Sequence, residues 1–141
     1  MRTSRMYQYQ SYSIDGMRSF TPPEPSAFTS PLSPMTVIRL ADGSLLAAYN
    51  PIPNYNGRAE LTGDMNFAAD YSGRTPLVLR RSQDNGRTWG SLFAVETEKE
   101  RDFCYPALYE TPDGAILCSY MCIRDCFQTI TMRIQKITGL W

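Results

Sequence analysis

Short apolar runs separated by turn-forming residues recur along the chain. The segment 36–49 follows the order strand, Asp-Gly turn, strand that is typical of a β-hairpin, and the segment 106–120 repeats that order. Helical periodicity is weak throughout. Ten prolines and nine glycines fit many short strands joined by turns. The pattern therefore predicts an all-β fold.

A second element also occurs twice, each time after an apolar run. Residues 82–89 (SQDNGRTW) follow the run 76–81, and residues 13–20 (SIDGMRSF) follow the run 6–10. The copy at 13–20 keeps the Ser and the Asp, has Ser-Phe in place of Thr-Trp, and carries its Gly one position earlier. The hairpin and this element both return after about seventy residues, which indicates a repeat of about four strands, the content of one propeller blade.

The residue types at 82–89 suit a turn better than catalysis. Asp84 and Ser82 can hydrogen-bond to the backbone of the turn, and Gly86 permits a positive φ angle. Trp89 can fill the gap between neighbouring elements. A structural role is therefore predicted for Asp84, which is not the candidate acid.

Charge and composition exclude several classes of function. Lys and Arg number 14, as do Asp and Glu, so no net charge favours nucleic acid or an anionic membrane. The 43% of apolar residues argues against disorder, and neither a signal peptide nor a bilayer-length apolar segment is visible. The chain is expected to be cytoplasmic if complete, although the compartment stays open. The chain has no histidine, which excludes Ser-His-Asp and Cys-His nucleophile pairs and the usual zinc sites.

Four cysteines remain as metal or redox candidates: Cys104, Cys118, Cys122 and Cys126. The C-x3-C-x3-C spacing of the last three matches no usual zinc or iron–sulfur pattern. In a strand, Cys118 and Cys122 would share one face as core residues. The core interpretation is favoured, no metal or organic cofactor is expected, and a disulfide stays open.

The repeat also predicts on which rim of a blade each loop lies. In a four-stranded antiparallel blade, the short Asp-Gly turns and the elements at 13–20 and 82–89 fall on one rim. The other rim receives the long segments 21–33, 50–75, 90–104 and 121–128, where function usually lies. The polar candidates there are Arg58, Glu60, Asp64, Asp70, Tyr71, Arg74, Arg101, Asp102, Tyr105, Arg124 and Asp125.

The element at 82–89 resembles the Asp box, S-x-D-x-G-x-T-W, of sialidases and related propellers, and every defined position matches. From about Gln8 to Lys136, the order of elements is similar to the C-terminal part of the sialidase superfamily, whose members are six-bladed β-propellers. The resemblance implies a partial β-propeller of about two to three four-stranded blades. The expected units are the end of one blade at 5–33, a complete blade at 34–95 and an incomplete last blade at 105–137.

The resemblance also implies site residues. Arg74 is similar to the third arginine of the family's carboxylate-binding triad, and Tyr105 to its tyrosine nucleophile. Where the family has a glutamate this chain has Pro34, and where it has the middle arginine this chain has Asn50. The first arginine and the acid–base aspartate would lie upstream of Met1. Asp64 or Asp70 could replace the missing base. The candidate sugar-binding residues are Arg74, Asn50, Asp70 and Arg124, and the candidate catalytic residue is Tyr105.

Two functions stay open. The resemblance implies a glycosidase similar to exo-sialidases, which removes terminal sugars from glycoconjugates with retention of configuration and without a cofactor. The alternative is a non-catalytic propeller that binds carbohydrate or acts as a scaffold and is inactive as an isolated fragment. Pro34 and Asn50 favour this alternative. The expected partners are a carbohydrate and either the N-terminal blades of a parent chain or other copies joined through open sheet edges. Three copies forming one six-bladed ring is a further alternative.

Overall fold

The computed structural model describes residues 1–3, 5–52, 73–98, 100–124 and 129–140. Its strands are β1 (Tyr7–Gln10), β2 (Glu24–Thr29), β3 (Thr36–Arg39), β4 (Leu45–Tyr49), β5 (Leu77–Ser82), β6 (Phe93–Glu96), β7 (Asp102–Glu110), β8 (Ile116–Arg124) and β9 (Thr129–Ile137). The described residues include no helix long and apolar enough to cross a membrane.

The strands form three antiparallel sheets. The first sheet is β1-β2, the second is β3-β4-β5-β6 and the third is β7-β8-β9. The predicted all-β fold is confirmed, and antiparallel sheets of two to four strands in chain order are consistent with a partial β-propeller.

Three of the segments that were predicted to be long loops contain strand residues. β2 lies within 21–33 and β6 within 90–104. β7 begins at Asp102, upstream of Pro106, and β8 continues to Arg124. The long-loop prediction is therefore wrong for 24–29, which form β2, and the connection from β2 to β3 is only the segment 30–35.

The central strands of the second sheet supply side chains to two cores. On β4, Leu46 and Ala48 pack with residues of the third sheet, whereas Ala47 and Tyr49 pack with Phe28 of the first sheet. These four β4 residues are at most 2% exposed. Because alternate residues of a strand point to opposite faces, an uninterrupted apolar run is what a sheet buried on both sides requires.

A buried carboxylate joins the second sheet to the third. Oε1 of Glu96, the last residue of β6, accepts hydrogen bonds from the Tyr120 hydroxyl at 2.6 Å and from Arg133 Nη1 at 2.7 Å. Gln135 Nε2 donates to the same oxygen at 3.3 Å. Burial and this hydrogen bond raise the pKa of Tyr120 well above its usual value. The four side chains form a polar contact between β6, β8 and β9 beside the apolar core.

The Asp box at 82–89 forms the turn between β5 and β6. Asp84 Oδ1 accepts hydrogen bonds from Thr88 N and Ser82 Oγ, both at 2.8 Å, and its Oδ2 accepts from Thr88 Oγ1 at 2.6 Å. Ser82 Oγ in turn accepts from Gly86 N at 2.8 Å. Trp89 then packs edge-on against Phe28 of the first sheet, with ring centroids 4.6 Å apart. The structural role predicted for Asp84 is confirmed, and Trp89 fills the gap between two sheets.

The element at 13–20 forms the same turn between β1 and β2. Asp15 Oδ1 accepts from Ser13 Oγ at 2.9 Å and from Ser19 N at 3.0 Å, and Asp15 Oδ2 accepts from Ser19 Oγ at 2.6 Å. Ser13 Oγ accepts from Met17 N at 2.8 Å, as Ser82 does from Gly86. The predicted second copy of the element is therefore a second Asp box.

Candidate functional site

Four chain segments meet at the end of the sheets opposite the Asp boxes. They are the connection 30–35, Asn50 after β4, the residues just before β5, and the start of β7. Phe103 N donates to the Arg74 carbonyl at 3.0 Å, which joins the last two of these segments. The antiparallel topology places Arg74 and Tyr105 at this end.

Arg74 is half-buried and held by backbone contacts. Its Nη2 donates to the Leu32 carbonyl at 3.1 Å, and its backbone N–H donates to Asp102 Oδ1 at 2.5 Å. Burial opposes the charge of the guanidinium, but the contacts with Cys104 and Tyr105 outweigh it and raise the pKa of Arg74 above its usual value. A cation is therefore fixed at this position at any physiological pH.

Tyr105 lies at an irregularity of β7. The pairing of β7 with β8 shifts register between Cys104 and Ala107, which is the pattern of a β-bulge. At the bulge Tyr105 has a φ of 53°, in the left-handed region that side chains other than glycine rarely adopt. Tyr105 is 51% exposed. The Arg74 guanidinium carbon lies 5.8 Å from the centroid of the Tyr105 ring.

Asn50 lies behind these two residues rather than on the surface. Its side chain is 1% exposed, and Nδ2 is 2.6 Å from the Arg74 carbonyl, 3.0 Å from that of Pro76 and 3.1 Å from that of Phe103. One amide nitrogen thus faces three carbonyl oxygens of the segments that carry Arg74 and Tyr105. Its Oδ1 is buried and has no hydrogen-bond partner.

The connection 30–35 is shaped by a buried glutamine. Gln8 Nε2 donates to Ser30 Oγ at 2.9 Å and to the Ser33 carbonyl at 2.6 Å, and all three residues are at most 2% exposed. This network fixes the backbone whose Leu32 carbonyl receives Arg74. Sequence reasoning did not identify Gln8 as a site residue. The one available signal was a glutamine flanked by tyrosines in an apolar run.

The cysteines near the site are core residues. Cys104 is 0% exposed, and its burial, partly opposed by Arg74, raises the pKa of its thiol. Burial raises the pKa of Cys118 to about 12. Cys118 and Cys122 point to the same face of β8 and are buried there, as predicted. Because buried neutral thiols are poor nucleophiles, these groups suit packing. In the described part of the chain, no three Cys, Asp or Glu side chains are placed to hold a metal ion.

The other candidates are distributed around this end of the sheets. Arg124 is exposed at the end of β8, next to the residue that pairs with Asp102. Arg101 forms an ion pair with Glu98 and donates to Cys122 Sγ at 3.6 Å. Some candidates lie outside the described residues: Arg58, Glu60, Asp64, Asp70, Tyr71 and Asp125. The structure therefore brings together Arg74, Tyr105 and Asn50, with Asn50 in the interior.

A comparison with protein families matches residues 1–118 to the BNR repeat-like domain, which is consistent with the sialidase and BNR-repeat superfamily. A comparison with curated proteins gives no significant match. The match covers most of the chain, including both Asp boxes, Arg74 and Tyr105. With its antiparallel sheets and its two Asp-box turns, the chain belongs to the BNR repeat-like domain family.

Proposed function

We propose that this chain contributes to a carbohydrate-processing site in which Arg74 binds the acidic group of a sugar and Tyr105 lies at the reacting carbon. The observation that carries the proposal is the conformation of Tyr105. A left-handed bulge keeps its ring half exposed, with a fixed guanidinium 5.8 Å from the ring centroid. Backbone outliers and bulges cluster at functional sites, where they redirect a side chain.

Arg74 suits an anionic ligand. Its guanidinium is anchored to the Leu32 carbonyl, which leaves further N–H groups for a carboxylate. Asn50 supports this arrangement from behind, because its amide holds the Arg74 and Phe103 carbonyls. In the proposed site Asn50 is a positioning residue, and the earlier expectation that it contacts sugar is replaced by this role.

Tyr105 suits attack on a carbon that carries a carboxylate. A neutral phenol avoids the repulsion that an anionic nucleophile would meet there. Its oxygen would attack the anomeric carbon as the bond from that carbon to the leaving oxygen breaks. The phenol proton passes to a base, for which Asp64 and Asp70 are the candidates, and the leaving oxygen takes a proton from a carboxylic acid. Water then attacks the same carbon and gives a proton to the carboxylate left by the first step, while the bond to Tyr105 breaks. Tyr105 regains its proton from the base, which completes hydrolysis with retention.

A second function is favoured by two residues. Pro34 and Asn50 stand where the resemblance expects a glutamate and an arginine, and neither can act as a base or bind a carboxylate by charge. A site with Arg74 and Tyr105 alone could bind an acidic sugar by ion pairing and ring stacking without cleaving it.

The two functions are separated by comparing turnover with binding. Release of methylumbelliferone from acidic and neutral aryl glycosides would be measured for the wild type, Tyr105→Phe and Arg74→Gln. Tyr105→Phe should remove most of the turnover and leave affinity nearly unchanged, because it deletes only the attacking oxygen. Arg74→Gln should weaken binding of acidic glycosides by about tenfold or more and of neutral ones little.

Tyr109→Phe is the matched control, since Tyr109 lies on the same strand and is 59% exposed. Full turnover in Tyr105→Phe would show that Tyr105 is not the nucleophile. Binding that depends on Arg74 without any turnover would select the binding function. Neither binding nor turnover with any acidic glycoside would refute both.

A further inference from the structure

A crevice of about 430 Å³ lies at the other end of the sheets, beside the Asp box of the second sheet. One wall comes from the first sheet, and the other comes from β3 and the Asp box. β5 separates this Asp-box crevice from Arg74, because the strand begins just after Arg74 and ends at Ser82. At the rise of an extended strand the separation is about 20 Å. The crevice has the size of a small-molecule site, about 300–1,000 Å³.

The crevice is lined by aromatic rings, two of which pack against each other. Phe28 forms part of the lining, is 5% exposed and packs edge-on against Trp89. Tyr9 and Tyr12 line the side formed by the first sheet. Thr21 fixes Tyr12 at both backbone groups, since Oγ1 of Thr21 accepts from Tyr12 N at 3.0 Å and Thr21 N donates to the Tyr12 carbonyl at 2.8 Å. The Phe28 and Trp89 rings therefore need little ordering when a ligand binds, and the Tyr12 ring is carried on a fixed backbone.

Hydrogen-bond donors and hydrogen-bond acceptors both lie beside these rings. Asn85 Oδ1 accepts from Arg39 Nη2 at 2.6 Å, which fixes the side chain and leaves its amide N–H groups as donors. Gln10 Nε2 donates to Glu24 at 3.2 Å, which leaves the Gln10 Oε1 as an acceptor. Arg87 is exposed and carries the only formal charge among the described residues that line the crevice.

We propose that the Asp-box crevice binds one sugar ring that carries a carboxylate. The apolar face of a sugar can lie on Tyr12 and Trp89, while its hydroxyl groups, each both donor and acceptor, match Asn85 and Gln10. Because Arg87 is the one cation and no carboxylate occurs among the described lining residues, an acidic sugar is favoured over a neutral one. The crevice is a second ligand site, independent of turnover at Tyr105.

Binding of methyl glucuronide and methyl glucoside, a matched acidic and neutral pair, tests this proposal. Titration of the full chain would be followed by NMR at the Trp89 indole N–H, assigned with Trp89→Phe. The wild type should bind the glucuronide about tenfold more tightly than the glucoside, and Arg87→Gln should abolish that preference. Tyr12→Ala should weaken both sugars by about tenfold through loss of the stacking surface.

Arg18→Gln is the matched control, because Arg18 has the same position in the first Asp box and does not line the crevice. It should leave both affinities unchanged. Arg74→Gln separates the two sites: loss of glucuronide binding in that variant would assign the ligand to the Arg74 site and overturn the proposal. Equal affinity for the two sugars, full affinity in Tyr12→Ala, or no binding by the wild type would also overturn it.

Discussion

Both Asp boxes have two successive residues with backbone angles in the left-handed region. The glycine is the second of these residues in one box and the first in the other. In the second box these residues are Asn85 and Gly86, with φ of 61° and 88°. In the first box they are Gly16 and Met17, with φ of 72° and 66°. The shifted glycine therefore does not alter the turn, and the cost falls on Met17, whose Cβ is strained at positive φ.

Met17→Gly should stabilise the chain. Met17 is 77% exposed, so little packing is lost, and the strain of its left-handed backbone is relieved. The expected gain in the free energy of unfolding is about 0.5–1 kcal/mol, reduced somewhat by the flexibility of glycine in the unfolded chain. Urea denaturation measures this change in the free energy of unfolding. Gly86→Ala should lose about as much, and a destabilised Met17→Gly variant would contradict the assignment of strain.

Trp89→Ala should destabilise the contact between the first two sheets. A fully buried Trp costs about 3–5 kcal/mol on truncation, but Trp89 is only partly buried, so about 2–3 kcal/mol is expected. Phe20 has the same position in the first box and is 59% exposed, so Phe20→Ala should cost less than about 0.5 kcal/mol. Thermal melts compare the loss of stability in the two variants. Equal effects would refute the inter-sheet role of Trp89.

The Asp-box turn is also an electrostatic element. The hydrogen bond from the Thr88 hydroxyl, then those from Thr88 N and Ser82, lower the pKa of Asp84 to about 2. Equivalent contacts, first of all with Ser19, lower the pKa of Asp15 to about 2. Because the folded-state pKa lies below the ordinary value of 3.8, this stabilisation is complete above about pH 4 and is lost as the pH falls towards 2.

Carboxyl titration by NMR should therefore find Asp84 ionised well below pH 3.8. Thr88→Val removes the hydrogen bond that lowers the pKa of Asp84 most, and should raise that pKa while leaving the pKa of Asp15 unchanged. It should also reduce the loss of stability between pH 4 and pH 2. An ordinary pKa for Asp84 in the folded wild type would show that the turn does not depend on the carboxylate.

How far the strands could be predicted depends on their local signals. β3, β4 and the first part of β8 follow an uninterrupted apolar pattern around Asp-Gly turns and lie where the sequence places them, whereas β8 continues to Arg124, into a segment predicted to be a loop. β2 contains Pro25 and little apolar periodicity, and its strand conformation depends on pairing with β1. β7 extends upstream of Pro106 because the bulge accommodates a proline that would otherwise mark the strand end. Tertiary pairing, which no local pattern encodes, decides these cases.

The candidate site shows the same division. The repeat places Arg74 and Tyr105 among the polar candidates of one rim, and the resemblance to sialidases distinguishes them from the others. Asn50 is predicted at the same rim, but the inward orientation of its side chain depends on the carbonyl groups of Pro76 and Phe103, which lie next to β5 and in β7. Gln8 acts through Ser30 and Ser33, far along the chain. Residues that support a site from inside therefore need the packed structure to be recognised.

At the scale of the whole molecule, the third sheet has an exposed apolar strand, β9, whereas the corresponding strand of the second sheet, β5, is buried. Within the described residues, β9 hydrogen-bonds to a neighbour on one side only, β8, and it is nine residues long. Ile130, Met132 and Ile134 alternate along it and are 50%, 65% and 69% exposed. Their counterparts in the second sheet, Leu77 and Leu79 on β5, are fully buried. A long edge strand with an exposed apolar face is a surface on which other chains associate.

The purified chain should therefore self-associate, and sedimentation velocity over a range of concentrations measures this. Met132→Lys together with Ile134→Lys should shift the distribution towards monomer, because charges on an edge strand oppose pairing with another copy. Val37→Lys is a matched control: its side chain is 44% exposed on β3, away from β9. It should leave the distribution unchanged. A discrete trimer would favour a ring assembled from three copies, whereas a cooperatively melting wild-type monomer at all concentrations would show that the exposed face of β9 does not drive association.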